Sequence, residues 1–179
     1  MVVCADRCRL VSTRRAALLG GIAALAGSPV LASTRTYRHL FHIERSKNAN
    51  IVQYDAVEEG SGRLDSKAPV VAYWIMRAED GRRESLTFLE RSAYGFDVRP
   101  EPGGSWLVKL KSLPDRTLRV LLWRGRWVAQ AVIRGRSAVL ERVFVEADDS
   151  GLVPSVRWID LFGVDMVTGA LLTERLRPG

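Results

Sequence analysis

Two imidazoles and a short run of carboxylate, guanidinium, hydroxyl, ammonium and amide groups stand together within residues 39–55 of this 179-residue chain. His39 and His42 are followed by Glu44-Arg45-Ser46-Lys47-Asn48-Ala49-Asn50, and then by Tyr54 and Asp55. Such a set offers two kinds of chemistry. Glu44, with His42 on the same strand face and Glu90 further along the chain, supplies the carboxylate pair and imidazole that general acid–base catalysis uses. Arg45, Lys47 and Arg134 offer cations to an anionic group, with Ser46, Asn48, Asn50, Tyr54 and Tyr94 as hydrogen-bonding partners around it. Against each stands a plainer role. Glu44 has only to meet Arg45 or Lys47 of a neighbouring strand to be an ordinary ion pair, and Asn48 and Asn50 suit a turn held by its own backbone. Ser46 lies in neither a Gly-x-Ser-x-Gly nor a Ser-x-x-Lys motif, which argues against a serine nucleophile. His39 and His42, three apart, face opposite sides of a regular strand and so do not share a metal ion. No metal and no cofactor are expected, since glycine-rich phosphate loops and dinucleotide fingerprints are also missing.

The elements that must hold these groups read as short strands. Apolar and polar residues alternate on either side of the polar run, and again through Trp106, Val108 and Leu110 and through Leu118, Val120 and Leu122. Trp123-Arg124-Gly125-Arg126-Trp127 reads as a tight hairpin, and Gly135-Arg136 and the residues from 148 to 151 as further turns. Residues 84–93 form the one expected helix, with Leu86, Leu89 and Ala93 as its apolar stripe and Gly95 after its end, short enough to be a lid or plug. The whole is a mostly β, antiparallel meander of about eight to ten strands, closed or partly closed as a small barrel. A two-sheet sandwich is the alternative. Turns of a meander alternate between its two ends, so one end would gather Arg45, Lys47, Lys111, Arg116, Arg134 and Arg136. A guanidinium-lined mouth attracts carboxylate or phosphate, although solvated charge on turns is the commoner reason for such residues.

Ahead of the strands, Arg7, Arg9, Arg14 and Arg15 precede an apolar run over 16–26, and Val30-Leu31-Ala32 before Ser33 fits the small-residue rule of signal peptidase. Residues 1–32 therefore read as an export signal and 33–179 as a single β-rich domain. Thr13-Arg14-Arg15-Ala16-Ala17-Leu18 resembles a twin-arginine signal, with the general secretory route as the alternative. The apolar run is too short to span a bilayer, so no transmembrane segment is expected after signal removal. Cys4 and Cys8, the two cysteines of the chain, leave with the signal, and with them any disulfide or thiolate chemistry. The 27 basic and 20 acidic side chains then become 23 and 19, so the net charge falls from +7 to +4. That balance suits anionic small molecules or a membrane surface as much as nucleic acid, and a periplasmic or secreted location argues against nucleic acid as a partner.

Residues 41–55, then Pro69-Val70 leading to Tyr73-Trp74-Ile75, Glu90 with Ala93-Tyr94-Gly95, and Ile159-Asp160-Leu161-Phe162-Gly163 with Thr168-Gly169 and Glu174-Arg175, resemble the DUF4833 family of uncharacterised secreted bacterial proteins. The resemblance implies one exported domain and assigns no catalytic role. Two functions compete. The first, and preferred, is a carrier whose barrel takes a small anionic or amphiphilic molecule, its apolar tail inside and its acidic head at the basic mouth. The second is a hydrolase using Glu44, Glu90 and His42. A filled barrel without a cleft would leave a structural or interaction module.

Overall fold

A computed structural model describes residues 35–60, 62–148 and 155–177. The export signal, its cleavage site and the turn at 149–151 lie outside the described residues. In chain order the elements are β1 (Thr36–Arg45), β2 (Asn48–Glu59), β3 (Arg63–Leu64), β4 (Val70–Ile75), β5 (Arg83–Ser85), α1 (Phe88–Tyr94), β6 (Phe96–Pro100), β7 (Trp106–Leu110), β8 (Thr117–Trp123), β9 (Arg126–Ile133), β10 (Arg136–Asp148), β11 (Ser155–Asp165) and β12 (Leu171–Leu176). The sheet runs β5-β4-β2-β1-β10-β9-β8-β7-β6 and curls into an open half-barrel, with β3, β11 and β12 off this path. The mostly β, partly closed barrel with one short helix is therefore present. Nine strands make up that path, within the expected eight to ten, and among the described residues β3 and β5, read as loop and as loop or helix, also pair as strands.

Local chemistry explains the boundaries. Arg124 and Gly125 both take positive φ, as the two-residue turn between the right-twisted β8 and β9 requires. The helix begins at Phe88 rather than at residue 84, because Thr87 accepts from the Glu90 N–H while the Glu90 carboxylate accepts from the Thr87 N–H. Arg83–Ser85 instead extends the sheet beside Tyr73–Ile75. Nor is the helix a plug. None of its residues is buried, and Phe88 and Leu89 face solvent; Leu86, the buried member of the expected stripe, lies before its first turn.

The meander is interrupted at one point, and that point decides the layout. Strands β6 to β12 run as consecutive antiparallel neighbours, and so do β1, β2, β4 and β5 in their own order. The two groups join through a parallel pairing of β1 with β10, His42 opposite Arg142 and Arg45 opposite Val145. One edge of the long β10 carries β11. Its other edge is divided, with β9 taking Arg136 to Val139 and β1 taking Arg142 to Val145. Because β1 runs parallel to β10, the turn after Arg45 lies beside the end of β10, while Arg134 lies just before its start. Nine residues separate Arg136 from Val145, about 30 Å at the rise of a strand. The expected gathering of Arg45 and Arg134 at one basic mouth is thus not formed.

Side chains fill the concave side of the sheet. Phe41, Tyr54, Leu110, Leu118, Ile133, Leu140 and Leu161 are fully buried, and the Phe41 and Tyr54 rings stack at 4.5 Å. A small barrel interior packed in this way is a core. The apolar tail of an amphiphile, which the carrier reading would lodge there, meets close-packed rings instead.

Candidate functional site

The polar run itself is a surface turn. Lys47 takes φ 62°, and Lys47, Asn48 and Ala49 are exposed. Its side chains hold backbone. Asn48 Oδ1 accepts from Asn50 N at 2.9 Å, Asn50 Oδ1 from Ala78 N at 3.0 Å, and Ser46 Oγ from Ala147 N at 3.0 Å. These bonds tie the β1–β2 turn to β10 and to the loop after β4, which is the plainer of the two roles foreseen for them. Arg134 likewise serves a turn: its φ is 51° and its backbone N–H donates to Glu174 Oε2 at 2.6 Å. Other rim arginines meet carboxylates, Arg136 with Asp165 at 2.7 Å and Arg116 with Glu174.

Tyr54, expected among the ligand contacts, belongs to the core, and its hydroxyl donates to the Tyr94 carbonyl at 2.6 Å. Glu90 is occupied by its cap, and the Thr87 backbone N–H is the chief reason its pKa lies below the ordinary glutamate range. Burial raises the Glu44 pKa, yet donors from Arg142 and His42 outweigh it and hold Glu44 low as well. Neither carboxylate is kept protonated at neutral pH, so the pair is not prepared for the general-acid half of a hydrolase mechanism.

What the chain does assemble lies on the other face of β1, and a bulge makes it. His39 pairs with Asp55 but Phe41 pairs with Tyr54, so Leu40 is an extra residue in the strand. The two histidines therefore do not face opposite sides, as regular alternation requires; their rings stack with centroids 5.9 Å apart. A carboxylate backs each ring. His39 Nδ1 is 3.4 Å from Asp55 Oδ1, and His42 Nε2 is 3.2 Å from Glu44 Oε1. Asp55 is 2% exposed, and it also accepts from Gln53 Nε2 at 2.9 Å and from the Tyr73 hydroxyl. Glu44 accepts from Arg142 Nη1 at 2.9 Å, and the Arg142 guanidinium lies 3.9 Å over the Phe162 ring. The register Tyr73, Gln53, His42, Arg142, Phe162 sets these groups in one row across five strands.

Burial would raise the Asp55 pKa, but the hydrogen bonds from His39, Tyr73 and Gln53 hold it below its ordinary range. Burial also lowers the His42 pKa, against the opposing pull of Glu44. The sign of both effects on stability is the same. Each group has a folded pKa depressed below its unfolded value, so its contribution is complete above the unfolded value and is lost as pH falls through the folded one. Thermal melts should weaken first below about pH 6.5, through His42, then below about pH 4.3, through Glu44, and below about pH 3.9, through Asp55. His42→Gln removes the first phase, and Asp55→Asn diminishes the last. A melting temperature flat from pH 7 to pH 3 would contradict these assignments.

A cleft of about 690 Å³ opens where β1 and β9 separate along the shared edge of β10. His39 and His42 line it from β1, Arg126 and Trp127 from β9, with buried Leu40 and Val139 among its apolar lining. Arg38, paired with Glu58 at 2.8 Å, and Glu141 also border it. Of the residues singled out in the sequence as catalytic or ligand-binding, His42 alone lines this cleft. The groups missed are His39, Asp55 and Arg126. One signal for Asp55 is present in the sequence: it is an acid inside the otherwise apolar-rich Ile51-Val52-Gln53-Tyr54-Asp55-Ala56-Val57.

The family model described as a domain of unknown function, DUF4833, matches residues 41–175. No curated protein and no solved structure matches the chain.

Proposed function

The chain belongs to the DUF4833 family, whose description carries no activity, and from that premise we propose that it is an exported domain that binds one small anionic molecule in the cleft between β1 and β9. The observation that carries this reading is the pair of imidazoles turned to one face by the Leu40 bulge, each backed by a carboxylate, at the edge of a cleft. Binding sites typically combine an apolar lining with a few fixed polar groups. Here Leu40, Val128 and Val139 supply the former, and His39, His42 and Arg126 the latter. A planar guanidinium donates to two oxygens of a carboxylate or phosphate, and an imidazole held by a buried acid has a fixed direction in which to donate or accept. The filled concave core favours a compact ligand over a long-chain amphiphile. Export rests on the charged and apolar pattern before Ser33.

Native mass spectrometry of protein recovered from its own periplasm tests both halves. The chain should begin at or near Ser33 and carry one small acidic adduct, retained by Arg45→Ala and lost when His39 and Arg126 are both replaced by Ala. An adduct lost in Arg45→Ala and kept in the double variant would overturn the cleft as the site, and protein found in the cytoplasm at full length would overturn export.

A further inference from the structure

We propose that His39 is a general base, set by Asp55 to take a proton from a water molecule that attacks an ester of a small acid bound in the cleft. The inference rests on the cleft reading and extends it from binding to catalysis. His39 also precedes the first residue of the family match, so the dyad is argued for this chain and not for its relatives.

The geometry is that of an imidazole with one nitrogen beside a buried carboxylate. Asp55 sits opposite His39 on β2, with Oδ1 3.4 Å from Nδ1. A neutral imidazole that donates from Nδ1 keeps its lone pair on Nε2, and the carboxylate also stabilises the cation formed when Nε2 takes a proton. Asp55 cannot easily turn elsewhere. It is buried, Tyr73 and Gln53 both donate to it, and the Tyr73 ring is itself covered by the Arg83 guanidinium at 4.7 Å. The His39 side chain, by contrast, is 48% exposed and borders the cleft, so Nε2 can be reached. The charged and titratable groups that share the cleft or its register are Tyr37, Arg38 and His42 on β1, Asp55 and Glu58 on β2, Arg126 on β9 and Glu141 on β10. Arg38 is paired with Glu58, and burial favours the neutral form of His42, the ring stacked on His39.

The rest of the lining is compatible with hydrolysis of an ester. Among the described residues bordering the cleft there is no serine, threonine or cysteine, and in this scheme water supplies the attacking oxygen. In the step, the water oxygen bonds to the acyl carbon or phosphorus while its proton passes to Nε2. The bond to the ester oxygen then breaks, and that oxygen takes the proton back from Nε2. An acid and an alcohol result, with no change of oxidation state. Arg126, on the facing strand, offers its cation to the oxygen on which negative charge grows.

The full exported chain should hydrolyse one of two probes with saturation, 4-nitrophenyl acetate if the ester is carboxylic or bis(4-nitrophenyl) phosphate if it is phosphoric. His39→Gln, which replaces a half-exposed ring without emptying the core, should lower kcat about 100-fold or more, while Lys109→Ala, exposed on β7, leaves the rate unchanged. Nitrogen-15 NMR should show His39 protonated on Nδ1, and Asp55→Asn should convert it to a mixture of tautomers, a change that loss of stability alone does not produce. A native His39 protonated on Nε2, or equal rates in the native protein and His39→Gln, or no turnover of either probe, overturns the inference. If the native adduct persists in that case, the cleft reading survives; if the adduct is absent too, both fall.

Discussion

Replacing Tyr54 with alanine lowers the free energy of unfolding by about 3–5 kcal/mol, which in a domain of this size moves the melting temperature down by roughly 6–20 °C. The ring has no exposed surface, stacks on Phe41 at 4.5 Å and meets Phe96 at 6.0 Å. Its removal leaves a cavity between β1, β2 and β6 that rigid strands cannot close. The hydroxyl adds a separable part, because it joins β2 to the end of α1 through the Tyr94 carbonyl at 2.6 Å. Tyr54→Phe keeps the ring and loses only that bond, for about 1 kcal/mol. Denaturant melts of the two variants read both contributions. A small loss in Tyr54→Ala would return Tyr54 to a solvent-facing site and contradict the packing described for the core.

Gly163→Ala has the next largest effect, about 1–3 kcal/mol of destabilisation from overpacking. Gly163 stands on β11 opposite Leu140, where β10 bulges at Glu141. A β-carbon there would lie 2.5 Å from the Val139 carbonyl oxygen and 2.8 Å from Ile133 Cδ1. The carbonyl belongs to a strand held on its other edge by β9, so the clash is relieved only by moving paired backbone. Gly60→Ala is the control: nothing lies within 4 Å of the added carbon, and the melting midpoint should barely change. Equal melting curves for the two variants would show that β10 and β11 do not approach as closely as described.

Alternation in Trp106–Leu110 and Thr117–Trp123, and the Arg124-Gly125 pair between hairpin strands, made most of the second half legible, because those signals are local and period-2 contacts are short in sequence. The helix was displaced for an equally local reason, since the Thr87-Glu90 capping box outweighed the apolar spacing of Leu86 and Leu89. Two features escaped. A bulge such as Leu40 leaves the residue types of a strand unchanged while reversing the face of everything before it, so His39 was assigned to the wrong side. The parallel pairing of β1 with β10 depends on contacts about 100 residues apart, and no hairpin signal reports it. Arg45 and Arg134 come together only in an unbroken meander, which the β1–β10 pairing interrupts, and the His39–Asp55 pair depends on the bulge.

The density map of crystals grown from protein purified out of its own compartment tests the central claim most directly. A compact, non-solvent feature between His39 and Arg126, with an oxygen-bearing group against the guanidinium, is the result expected if the β1–β9 cleft holds a small anion. A cleft filled only by water, with such a feature lying instead against the Arg45–Asn48 turn, would contradict it.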